Sequence, residues 1–329
     1  MGDFLNKVKQ IRDFSGSVSY GNMDEVITYA SGDRRREDHL PNNDQTSFGI
    51  ASGTKGFTAL LILTLVDEGR LSLDEFVFDR LSQPFPNMDP TITVKHLLTH
   101  TSGIYDYFNE ELLDDFSTMF DKLAIQKIHG PSDMYPLLIE GKAYFSPGDK
   151  FKYCNSAFVI LAMLVEEITG KNYSDYLNEV LIEPLGLKGT GCFQTHRLPD
   201  NVAIGYEKDE DGWYANIFEI PMVCTGDGGL YTNLEDMQTL WFALVEGRII
   251  SQALVEQALK VQVALDNNRG YGLGFFNATD EEGQIKSFSL VGGDPGVSFS
   301  SRYDVADKTV LTILSNTSYG AEIMGDALE

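Results

Sequence analysis

Apolar and polar positions change rhythm twice along this chain. Residues 3–12 follow the 3.6-residue period of a short amphipathic helix. Ser15 to Tyr20 and Val26 to Ala30 then read as two strands around Gly21-Asn22-Met23-Asp24, a hairpin signal. Residues 31–46 are polar, charged and loop-like. A dense apolar run follows: Phe57, Leu60, Leu61, Leu63, Leu65 and Val66, ending at Glu68-Gly69. This predicts an apolar helix that opens at Ser52. From about Leu71 to Leu198 the pattern becomes helical segments between Pro/Gly-punctuated loops, with helices expected over Leu112–Ala124, Met134–Ile139 and Ala157–Thr169. After Val202 the expectation returns to strands, at Trp213–Ile217, Tyr271–Phe276, Ser287–Val291, Val297–Tyr303 and Thr309–Leu314, with a last helix over Tyr319–Leu328.

Strands thus frame both ends and helices fill the middle. That order predicts an α/β lobe built from approximately residues 1–70 and 200–329, with an all-helical lobe, approximately 71–199, inserted between them. At 329 residues the chain is long enough for this to be a single large domain, 1–329. There is no internal repeat, no low-complexity linker and no 18-residue apolar run of the kind a membrane span requires. The opening residues lack the apolar core of a secretory signal. The protein is therefore expected in the cytoplasm if the chain is full length, and in the extracellular space or cell envelope if a signal has been removed.

Charge narrows the partners. There are 49 acidic against 25 basic residues, a net charge of −24, and no basic stripe to replace counterions, which argues against nucleic acid. Cys154, Cys192 and Cys224 are too few and too scattered for a disulfide framework or a zinc site. Among the five histidines only His96 and His100 are spaced i, i+4, and no Glu lies between them as in a zincin. No metal and no cofactor is expected.

Ser52-Gly53-Thr54-Lys55 is the one Ser-x-x-Lys in the sequence, and it stands at the mouth of the apolar helix. Residues three apart on a helix share a face, with Cβ atoms roughly 5–6 Å from each other, so hydroxyl and amine can meet. A serine hydroxyl becomes an effective nucleophile when a neighbouring base takes its proton. A lysine can be that base once burial depresses its pKa. The helix N-terminus adds backbone N–H groups able to stabilise an oxyanion. Ser is also a common N-cap and Lys a common solvated side chain, so the motif needs company.

Company exists. Phe48-Gly49-Ile50-Ala51-Ser52-Gly53-Thr54-Lys55, Val94-Lys95-His96-Leu97-Leu98-Thr99-His100-Thr101-Ser102-Gly103, Phe145-Ser146-Pro147-Gly148 with Tyr153-Cys154-Asn155, Glu183-Pro184-Leu185-Gly186-Leu187 and Gly228-Gly229-Leu230-Tyr231-Thr232 occur in this order. Together they resemble the serine β-lactamase and penicillin-binding-protein superfamily, nearest its class C β-lactamase, DD-carboxypeptidase and esterase branch, from about residue 15 to the end. The resemblance implies an α+β, β-lactamase/transpeptidase-like fold with an antiparallel sheet flanked by helices. Six Tyr-x-Asn tripeptides occur, at Tyr20, Tyr107, Tyr153, Tyr176, Tyr214 and Tyr231; only Tyr153 follows a Pro-Gly turn and precedes a long apolar helix. Carried over, Tyr153 shares acid–base work with Lys55, and Asn155 donates to a substrate carbonyl. His100 is implied to lie in a structural turn, with Thr101 and Ser102 satisfying backbone groups, rather than to form a triad with Ser52. No Gly-x-Ser-x-Gly elbow is present.

The third element departs from the pattern. Where the family carries Lys-Thr-Gly or His-x-Gly, the chain reads Leu290-Val291-Gly292-Gly293. Gly292 is expected to leave room for a substrate backbone along the strand, and by resemblance the N–H of Gly293 joins that of Ser52 as oxyanion hole. Leu290 replaces the side chain that helps bind a substrate carboxylate, and Lys286 or Arg302 could stand in. The expectation is a serine hydrolase working through an acyl-enzyme on an ester, amide or D-amino-acid peptide. A DD-carboxypeptidase, a β-lactamase proper and a weakly catalytic penicillin-binding sensor are the other readings. The partners are small-molecule or peptide substrates, β-lactams among the candidates.

Overall fold

A computed structural model describes residues 2–109 and 123–328. Most of the helix expected over Leu112–Ala124 lies outside them. Among the described residues the organising element is an eight-stranded antiparallel sheet. Its strands are β1 (Gly16–Gly21), β2 (Val26–Ser31), β3 (Val263–Ala264), β4 (Arg269–Tyr271), β5 (Phe276–Thr279), β6 (Ile285–Asp294), β7 (Val297–Asp304) and β8 (Thr309–Ser315). The spatial order is β2-β1-β8-β7-β6-β5-β4-β3, so the first hairpin pairs with the last strand and the two ends of the chain share one sheet.

One face is covered by α1 (Gly2–Val8) and the C-terminal helix, with Val8, Phe14, Val18, Ile313, Ala321 and Met324 in contact. The other face meets the main core. Its centre is α2 (Thr54–Asp67), whose residues are buried on every side from Thr54 to Leu63, which is why its apolar positions show no stripe. Beside α2 runs α3 (Asn155–Thr169), buried from Asn155 to Val165 and closed by Gly170 in the left-handed conformation. Two further helices, α4 (Leu234–Val245) and α5 (Gln252–Leu259), stand where only strands are expected. Asn233 caps α4 through Asp236 N, and Leu234, Met237, Leu240, Trp241 and Leu244 bury its inner face. The C-terminal helix, Gly320–Leu328, is α6.

The single strand expected over Tyr271–Phe276 is instead two, β4 and β5, which pair with each other. Gly272 and Gly274 interrupt the run; Gly274 takes a φ of +94°, so the chain reverses where its apolar pattern continues. The segment expected as a helix over Met134–Ile139 is a 3₁₀ turn, Pro131–Met134, followed by one helical turn, Tyr135–Leu138.

Candidate active site

Ser52 sits in the 3₁₀ turn Ala51–Gly53 that runs directly into α2. Ala51, just before it, is 2% exposed and holds a φ of +44°, a left-handed backbone that alanine adopts only under constraint. Three residues on, Lys55 is 2% exposed. Its Nζ lies 2.8 Å from Ser52 Oγ, 2.7 Å from Asn155 Oδ1 and 2.8 Å from the Asp227 carbonyl oxygen. Helix period brings the first pair together; packing of distant segments supplies the other two. The Asp227 loop is anchored on α2, where Leu230 N donates to Thr54 Oγ1 and Thr58 Oγ1 donates to the Gly226 carbonyl.

Tyr153 precedes the N-cap of α3, and its ring centroid is 5.0 Å from Lys55 Nζ. The Leu97–Gly103 segment places it. His100 O accepts from Lys152 N, Thr101 O from Gly148 N and Gly103 O from Tyr144 N, so this turn pins the whole approach to Tyr153. The His100 ring lies tilted against the Tyr153 ring with centroids 4.4 Å apart, receives Cys154 N at Nδ1 and meets Tyr271 Oη at 3.1 Å. Burial, reinforced by Lys55, pushes its pKa well below 6.5, so it is neutral. His100 is thus a post for the Tyr153 loop. Thr101 and Ser102 do not serve backbone groups as expected: Thr101 Oγ1 bonds Thr99 Oγ1, and Ser102 Oγ is buried without a partner.

The third wall is β6. Leu290 points inward, 3% exposed, against α2: a Cβ on Gly56 would lie 2.5 Å from its Cδ2. Val291 is 44% exposed and lines the cleft. At Gly292 the protein's own backbone requires a glycine. A Cβ there would strike the protein's own Ile50 carbonyl at 2.2 Å and Ser52 N at 2.8 Å, so its absence lets β6 close against the Ala51–Gly53 turn. At Gly293 a Cβ would meet open space. A cleft of about 720 Å³ gathers Ser52, Tyr153, Asn155, Gly292 and Gly293.

Two expected stand-ins are elsewhere. Neither Lys286 nor Arg302 lines this cleft; Arg302 bonds Asp304. The cleft-lining cation that sequence reasoning missed is Lys152, next to Tyr153. Asn155 is held by the protein itself: its Oδ1 receives Lys55, and one N–H of its Nδ2 donates to the Phe108 carbonyl at 2.8 Å. Also missed was Asp106, 4% exposed in the cleft wall, whose Oδ1 accepts from Asn155 N and Ser156 N. No short spacing announces it, since 49 residues separate it from Asn155.

The family model described as Beta-lactamase matches residues 7–328. The chain belongs to the beta-lactamase family. A crystal structure of a penicillin-binding protein from Bacillus halodurans superposes with a TM-score of 0.92 at 33% identity, covering 99% of this chain and 98% of that one. Penicillin-binding protein 4* of Bacillus subtilis is 29% identical over 331 residues, 94% of this chain and 69% of that protein. The D-amino acid amidase of Ochrobactrum anthropi, at 23% identity and a TM-score of 0.79, shares the fold. This beta-lactamase-family chain is a serine hydrolase of the penicillin-binding-protein-like group.

Proposed function

We propose that the protein hydrolyses small neutral esters or amides through an acyl-enzyme on Ser52, with Lys55 as general base and Tyr153 as proton carrier to the leaving group. The observation that carries this reading is the set of neighbours around Lys55 Nζ. Asn155 Oδ1 and the Asp227 carbonyl can only accept, whereas the Ser52 hydroxyl can donate. A neutral amine there spends its two N–H bonds on the two carbonyl oxygens and turns its lone pair to Ser52.

Ser52 Oγ attacks the substrate carbonyl as its proton passes to Nζ. The carbonyl oxygen takes the negative charge, which the N–H groups of Ser52 and Gly293 stabilise. Collapse breaks the bond to the leaving group, which receives a proton by way of Tyr153, and leaves an ester on Ser52. Water attacks this ester along the reverse proton route, releasing the acid and restoring Ser52. The substrate class follows from β6, which turns Leu290 into the core and presents Val291 to the cleft. That wall offers a carboxylate no charge-assisted partner, so along β6 an uncharged acyl group is better suited than a β-lactam carboxylate, for which the lining cation is Lys152 beside Tyr153.

Ser52→Ala tests the assignment. Turnover of p-nitrophenyl acetate by the purified variant is expected to fall at least 10³-fold, to the uncatalysed background or near it. Wild-type turnover in the variant would end the reading.

A further inference from the structure

We propose that Asp106 is a positioning residue of this site: it fixes the first turn of α3 so that Asn155 holds Lys55, and its charge sets the pH at which Lys55 can take the Ser52 proton. This rests on the acyl-enzyme reading above. The N-cap of α3, Cys154, makes no side-chain cap. Its place is taken from 49 residues away by Asp106 Oδ1, which accepts from Asn155 N at 2.9 Å and Ser156 N at 3.1 Å. The next two residues continue the strap. Tyr107 N donates to Ser156 Oγ, the Phe108 carbonyl accepts from Asn155 Nδ2, and Tyr107 Oη donates to Asp227 Oδ2 at 2.5 Å. Three consecutive residues therefore grip both residues whose oxygens receive Lys55 Nζ.

An ordinary helix cap is a Ser, Thr, Asp or Asn side chain of the N-cap residue itself. Here a carboxyl is buried instead, in the wall of the cleft that holds Ser52. Burial raises its pKa to about 7, against the opposing pull of the Ser156 N–H, Lys55 and the Phe108 N–H. The groups that face it are Lys55 from α2, Asp227 from the 225–229 loop, Cys154 at the head of α3, Tyr107 beside it and Tyr144, whose Oη is 3.5 Å from Asp106 N. Lys55 is the cation of that set, so an ionised Asp106 favours the ammonium form of the base.

The test is the pH profile of kcat/KM for p-nitrophenyl acetate in wild type, Asp106→Asn and Asp106→Ala, with Ser52→Ala as control. Asparagine keeps an acceptor for the two N–H groups and removes the charge. Its acidic limb is expected about one pH unit lower than wild type. Alanine removes the acceptor as well, and kcat on the plateau is expected to drop about tenfold further, with KM little changed. A merely structural cap would lower the melting temperature and leave the limb in place. An inactive Ser52→Ala with an unmoved limb in Asp106→Asn overturns this inference alone; an active Ser52→Ala overturns it together with the reading beneath it. If Asp106→Ala fails to fold, the Asp106→Asn profile decides.

Discussion

Leu290 and Val291 show how one residue's choice of face can alter what a cleft accepts. Strand alternation sends Leu290 to the inner face of the sheet, where it packs on Gly56, and Val291 to the outer face, in the cleft. A charge-assisted bond to a carboxylate is worth about 1.5–3 kcal/mol, some 10- to 150-fold in binding. Without one from this strand, p-nitrophenyl acetate is expected to give the higher kcat/KM and nitrocefin the lower. Val291→Lys, which brings a cation to the cleft-facing position, is expected to raise nitrocefin turnover roughly tenfold. Steady-state kinetics on both substrates checks this, and a large nitrocefin preference in the wild type would refute it. The same residues mark how far sequence reaches. Ser52 and Lys55 can be paired from helical spacing, and Tyr153 singled out by its Pro-Gly turn. Asp227 could not be, because it serves Lys55 through its backbone carbonyl from 172 residues away, and residue type says nothing about that.

Among the elements, the junction of α2 with β6 decides whether the site closes. Helix and strand touch where Gly56 lies under Leu290; in the turn that leads into α2, Ile50 and Ser52 lie under Gly292 of β6, and Gly53 lies against Phe299 of β7. Alanine at position 56 would bring a methyl to 2.5 Å from Leu290 Cδ2 in a fully packed region. Helix propensity favours that substitution by about 0.5–1 kcal/mol, and overpacking opposes it by about 1–3 kcal/mol. Gly56→Ala is therefore expected to lose about 1–2 kcal/mol in urea unfolding. Gly56→Ala with Leu290→Ala should lose less than the sum of the single losses, because the second change vacates the space the first requires. Strict additivity would mean the contact is not tight. Elements with an uninterrupted period were the legible ones: the hairpin β1–β2, α2, α3 and the three long strands at the end. The helical period of Leu234, Met237, Leu240, Trp241 and Leu244 is equally plain, yet a strand-rich surrounding hides it. The split of β4 from β5 is not legible in apolar pattern at all, since it depends on the backbone freedom of Gly274.

Over the whole molecule, two buried groups give stability opposite dependences on pH. Asp106 has its pKa raised from 3.8 to about 7, so between those values the folded chain holds a proton that the unfolded chain has lost. Its contribution is fully present below about pH 4 and is lost as pH rises through about 7. His100 is held neutral, its pKa pushed well below 6.5, so below pH 6.5 the unfolded chain takes up a proton that the folded chain refuses. That contribution is present above 6.5 and falls away with acidification. From about pH 6.5 down to 4 the two slopes, each near 1.4 kcal/mol per pH unit at most, oppose one another. The net charge of −24 adds self-repulsion that acid relieves, but this is common to the wild type and to Asp106→Asn. The difference between their stabilities isolates the carboxyl. Measured by urea unfolding from pH 8 to pH 4.5, that difference is expected to move steadily in favour of the wild type as pH falls below about 7. The full span implied by 3.8 and 7 is about 4 kcal/mol. With the Asp106 slope removed, the His100 slope stands exposed, so the variant should also be the more acid-labile protein. Parallel curves across this range would mean that Asp106 is ionised throughout, and that neither the stability of the fold nor the charge around Lys55 responds to it near neutral pH.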